Sequence, residues 1–107
     1  MNNKIYVIRW LSRIDGEEEC GNFEVCYTDE AKARKAMIED MKKTKADWEK
    51  SNEDYLKGIN ETVKERTLGP NGEIGCCDYA GIWIEDGNGE GTYDYHDWWI
   101  DALDVAE

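Results

Sequence analysis

From Thr67 to Glu107 the sequence contains no lysine and no arginine. Ten acids stand there instead: Glu73, Asp78, Glu85, Asp86, Glu90, Asp94, Asp97, Asp101, Asp104 and Glu107. Phosphates bind where cations neutralise them, so this part of the chain is excluded as a direct nucleic-acid contact. No run of about 18 apolar residues exists, which excludes a helical membrane span. The opening MNNKIYVIRWLSRIDG lacks a basic segment followed by a long apolar one, so no secretory signal is read. The expected location is the cytoplasm, where the four cysteines stay reduced. Cys20, Cys26, Cys76 and Cys77 do not form the short spaced pairs that zinc sites use, and they are expected as small buried thiols. His96 is the single histidine, and no spacing ties it to a thiol. Phosphate-binding glycine motifs and nucleophile elbows are missing. No catalytic residue, cofactor or metal is assigned, and an enzyme is not expected.

What is present is aromatic and acidic. Five tryptophans and six tyrosines, with 40% hydrophobic residues, suffice for a core, and the 107 residues fit one domain spanning 1–107. The net charge is −12, unevenly spread. Residues 1–28 carry three basic and five acidic side chains, and residues 29–66 carry ten of each. Nearly all the excess therefore belongs to the base-free end. A field of one sign repels nucleic acid and draws in basic partners, although acidity also serves solubility alone.

Residues 4–14, KIYVIRWLSRI, are rich in β-formers and read as a strand. IDGEEECGN reads as a turn, and NFEVCYT (22–28) alternates as the second strand of a hairpin. Thr28-Asp29 offers a helix cap. Beyond it, Ala33, Ala36, Met37, Met41, Thr44, Trp48, Tyr55 and Ile59 trace one apolar stripe. A helix over 29–66 would span roughly 57 Å, far beyond a strand of about 20 Å, so a break is expected near Gly58. Residues 61–68 are ambiguous between helix and strand, and GPNG (69–72) is a turn. Residues 76–85 and 92–100 read as a second hairpin, with 98–107 undecided between strand and helix. The expected fold is α+β: an antiparallel sheet of about four strands in ββαββ order, with one long helix on one face.

Residues 86–97, DGNGEGTYDYHD, resemble an EF-hand calcium loop, with Asp86, Asn88, Glu90, Asp94 and Asp97 at ligand positions. The twelfth position holds Asp97 rather than glutamate, and β-forming residues precede the loop where a helix belongs. A glycine-rich hairpin connection in an acidic segment is the competing reading.

The remaining pattern interleaves acids with aromatics. Glu85, Asp86, Glu90, Asp94, Asp97, Asp101 and Asp104 accompany Trp98 and Trp99, and these nine are the expected partner-binding residues. Tryptophan is favoured at interface centres, and flanking carboxylates give fast, salt-sensitive capture of a basic surface. In size, charge and style the chain resembles the small acidic anti-defence proteins of phages and mobile elements, of the anti-CRISPR and anti-restriction type. That resemblance implies an inhibitor that sets carboxylates where phosphates would lie on a host nuclease, such as a CRISPR effector or a restriction enzyme. Trp98 or Trp99 would anchor it. The alternatives are a small calcium- or ligand-binding module and a soluble cytosolic domain, monomeric or paired as a homodimer through an open sheet edge.

Overall fold

The computed structural model describes residues 3–14, 16–51, 62–68, 78–85 and 91–105. Its elements are β1 (Lys4–Ile14), β2 (Glu17–Asn22), α1 (Glu30–Ser51), β3 (Thr62–Leu68), β4 (Tyr79–Glu85) and β5 (Gly91–Asp104). The five strands form one antiparallel sheet in the order β2-β1-β5-β4-β3. The α+β class is as expected, but the sheet has five strands rather than four and the element order is ββαβββ. The extra strand is β3, from the stretch that sequence left ambiguous. Its Val63 packs in the core and its ladder to β4 runs over seven residue pairs. The C-terminal ambiguity also resolves as strand, because β5 stays paired to β1 as far as Asp104.

The first hairpin is tighter than the alternation of NFEVCYT suggested. Ile14 pairs with Glu17, and Gly16 between them takes a φ of 81°, a conformation that costs glycine little. That turn draws EEECGN into the ladder with β1 and leaves Phe23 to Cys26 outside it. The Phe23 amide still donates to the Ile8 carbonyl of β1 at 2.8 Å, and Tyr27 exchanges backbone hydrogen bonds of 2.7 and 3.0 Å with Tyr6. Val25, between Phe23 and Tyr27 in the stretch expected as the second strand, is 56% exposed.

Asp29 caps α1, accepting from the Ala31 amide at 2.9 Å, and satisfies a donor that the first turn leaves open. The apolar stripe lies where the spacing put it. Ala33, Met37 and Met41 are buried, and Ala36 and Trp48 flank them. Beneath them lie Ile8 of β1, Ala80, Ile82 and Ile84 of β4, Val63 of β3 and Trp98 of β5. Trp98 is fully buried, and its indole N–H donates to Asp40 of α1 at 2.9 Å. Arg34 ties the first turns of the helix to the sheet by donating to Asp78 at 2.6 Å. The expected helix break and the stripe positions Tyr55 and Ile59 fall outside the described residues. Among the described residues no helix is long and apolar enough to cross a membrane.

Candidate functional site

Side chains alternate between the two faces of a strand, and cross-strand partners share a face. Trp98 lies under α1, so Tyr95, Asp97, Trp99, Asp101 and Leu103 occupy the other face of β5. Register carries this assignment across the sheet. One row reads Leu68, Tyr79, Trp99, Arg9, Asn22 from β3 to β2. The next reads Arg66, Gly81, Asp97, Leu11, Cys20, and a third reads Lys64, Trp83, Tyr95, Arg13, Glu18. No described element packs over this open face. Tyr79, Trp83, Tyr95 and Trp99 are each half-buried on it.

The open face is internally bonded. Arg9 of β1 donates to Asp101 of β5. The Tyr79 hydroxyl donates to Asp97 at 2.6 Å, directly above Gly81. A Cβ at position 81 would stand 2.7 Å from the Asp97 carboxylate and 3.0 Å from the Tyr79 oxygen, so only glycine leaves room for this pair. Burial, then the bond to Asp97, raises the Tyr79 phenol above its ordinary value, so it stays a donor. Burial also raises the Asp97 carboxyl, against the opposing pull of Tyr79 and Arg66. The Arg66 guanidinium lies 5.5 Å from the centre of the Trp83 ring, within cation–π range. The Trp83 N–H donates to Glu85 at 2.8 Å.

The nine residues marked by sequence do not form one patch. Glu85, Asp97, Trp99 and Asp101 share the open face. Asp104 alternates to the helix side of β5, Asp94 lies where the β4–β5 register shifts, and Asp86 and Glu90 fall outside the described residues. Trp98 is removed as an anchor, because it fills the core beneath α1. Of the calcium-like loop, residues 91–97 are described and form strand rather than loop, and residues 86–90 fall outside the described residues. Residues 91–97 belong to β5, where the ladder to β4 shifts register between Trp83 and Glu85, and Asp97 is committed to the Tyr79 hydroxyl. Cys20 and Cys26 are exposed, not buried, because β2 is an edge strand and Cys26 lies beyond it. Cys76 and Cys77 fall outside the described residues.

Sequence reading missed the bases of this face: Arg9, Arg13, Lys64 and Arg66. Their signal was the even spacing of Arg9 and Arg13 within the first strand, which sets both on the side away from Ile8. Counting the described strand residues, the open face holds those four bases against Glu18, Glu85, Asp97 and Asp101. It is locally neutral in a chain of net −12. Seven of those net negative charges belong to residues outside the described set: Asp15, Glu53, Asp54, Glu61, Glu73, Asp86, Glu90 and Glu107, against Lys57.

On the helix side, His96 stacks on Trp98 with ring centres 4.0 Å apart and on Trp10 at 5.4 Å. Its Nε2 is buried with no hydrogen-bond partner among the described residues. Burial lowers its pKa to about 4, with the Asp40 carboxylate pulling weakly the other way. His96 is thus a neutral packing ring at physiological pH.

No protein-family model, no curated protein and no solved structure matches this chain.

Proposed function

We propose that this chain is a small protein-binding inhibitor of the anti-defence kind. It would engage a host nucleic-acid-binding enzyme, such as a CRISPR effector or a restriction enzyme, and cover its basic surface. The observation that carries this reading is the open sheet face. There, four half-buried aromatic rings alternate with carboxylates, and no described element covers them. Aromatic side chains of that kind make interface hot spots when a partner completes their burial.

The geometry changes how such an inhibitor would work. Asp97, Asp101 and Glu85 already accept hydrogen bonds from Tyr79, Arg9 and Trp83, so they are not a row of bare phosphate substitutes. The net charge of −12 acts at range, steering a basic partner inward. Contact itself then rests on Trp99, Trp83, Tyr79 and Tyr95. A partner arginine or lysine meets Asp97 or Asp101 at the cost of their present bonds, which favours a partner that brings several cations together.

The test is a titration of the full chain against a panel of CRISPR effectors and restriction enzymes at low and moderate salt. A complex that weakens with salt and is lost on Trp99→Ala supports the proposal. Absence of any complex across the panel counts against it.

A further inference from the structure

We infer that the open face is also where two copies of this chain meet, sheet against sheet, in a two-fold dimer. The inference goes beyond the partner reading above and stands without it.

Two copies of a chain with net charge −12 repel each other, so a stable contact needs a surface on which that repulsion is locally absent. The sheet edges do not offer one. The β2 edge carries Glu17, Glu18 and Glu19 in succession, all exposed. Pairing β2 with a second β2 would set like charges side by side, the device by which edge strands resist association. The β3 edge carries Lys64 and Arg66 on one face, and an antiparallel β3–β3 contact centred on Glu65 brings those cations together.

The open face differs from both edges. Its described charges are four bases and four acids, and they interleave. Arg9 neighbours Asp101, and Arg66 shares a row with Asp97, with only Gly81 between them. A neutral, interleaved surface sets no excess of one sign against its own copy under the two-fold rotation of an isologous contact. Its middle is apolar, with Trp99, Tyr95 and Leu11 near the centre and Leu103, 40% exposed, toward one end.

The dimensions suit a dimer. The β1–β5 ladder runs over ten residue pairs, and the sheet is five strands wide. At about 3.4 Å per residue and 4.8 Å per strand, the face covers roughly 600 Å² in plan. Two such faces bury about 1,200 Å² before side-chain relief is counted, the lower end of specific interfaces. Sheets packed in this way lie about 10 Å apart, with their inner side chains interdigitating. The helices of both copies then lie outward.

Salt separates this contact from capture of a basic partner. Raising ionic strength screens the repulsion between two acidic copies and leaves a neutral contact intact, so the dimer tightens. A complex with a basic partner weakens under the same change. The two contacts use one face and exclude each other.

Sedimentation equilibrium of the full chain from micromolar to about half-millimolar concentration, at low and high salt, reads this directly. The expected result is a reversible shift from the 12.4 kDa monomer toward twice that mass, several-fold tighter at high salt. Trp99→Asp and, separately, Leu103→Asp are expected to weaken it at least tenfold, while Glu19→Lys on the β2 edge leaves it within about twofold. Circular dichroism confirms that each variant is folded, and Leu103→Asp, at an exposed position, serves if Trp99→Asp is not. A single monomeric species at every concentration overturns the inference. So does a dimer that Glu19→Lys alters and the face variants do not.

Discussion

Tyr79 donates a 2.6 Å hydrogen bond to Asp97 across the bare Cα of Gly81, the one position in that row with no side chain. The pair occupies the volume that any other residue would fill. Gly81→Ala is therefore expected to push the carboxylate aside and destabilise the fold by about 1–3 kcal/mol. Urea denaturation measures it. An unchanged midpoint would mean that the pair moves aside freely.

Asp97→Asn should behave differently from other losses of charge in this chain. The amide oxygen still accepts from Tyr79, and the cost of burying a carboxylate is removed. Because burial raises the Asp97 carboxyl, the folded state holds that proton more tightly than the unfolded chain, whose value is 3.8. The stability this residue contributes is full below that value and is lost as pH rises through the folded one. Asp97→Asn should accordingly match or exceed the wild-type midpoint at pH 7. At pH 3 the advantage should vanish. A lower midpoint at pH 7 would contradict this assignment.

His96 pulls in the opposite sense from the other side of the sheet. Its folded pKa of about 4 lies below the ordinary 6.5, so the unfolded chain takes up a proton that the folded chain refuses. Its contribution is full above pH 6.5 and is lost as pH falls toward 4. At about 1.4 kcal/mol per unit the whole shift would be worth about 3 kcal/mol. The ring is partly exposed and solvent screens it, so about 1–2 kcal/mol is expected. His96→Gln should flatten the decline in stability between pH 7 and 4.5, measured by denaturant titration at both values.

Adjacent tryptophans should separate stability from binding. Trp98 is fully buried and bonded to Asp40, and Trp98→Ala is expected to cost about 3–5 kcal/mol. Trp99 is half-buried on the open face, and Trp99→Ala should cost about 1–2 kcal/mol. Trp99→Ala should nevertheless remove partner binding. Thermal melts and one binding assay on both variants read the contrast.

How much of this was legible in sequence depends on the distance over which each signal acts. The stripe Ala33, Met37, Met41 and the cap at Asp29 are local, and both stand. The Asp15-Gly16 dipeptide was a hairpin signal that the alternation of NFEVCYT outweighed, and β2 was read too late for that reason. The larger gap concerned charge. The stretch from Thr67 onward has no base in sequence, yet β5 lies between β1 and β4, with β3 beyond β4. Strand order thus sets Arg9 beside Asp101 and Arg66 beside the Tyr79–Asp97 pair. Segregation along the chain became neutrality on the open face through pairing between residues far apart in sequence, as in Arg9 and Asp101, 92 positions apart. The same alternation that identified acids and aromatics could not tell Trp98 from Trp99. Which of two neighbours faces the core depends on the side that α1 takes.

The most direct test of the central claim is competition. A nuclease from the defence panel is loaded with its labelled nucleic acid, and the full chain is added as wild type, Trp99→Ala or Glu19→Lys. The account predicts that wild type and Glu19→Lys displace the nucleic acid from at least one enzyme and that Trp99→Ala does not. Displacement by all three alike, or by none, would contradict it.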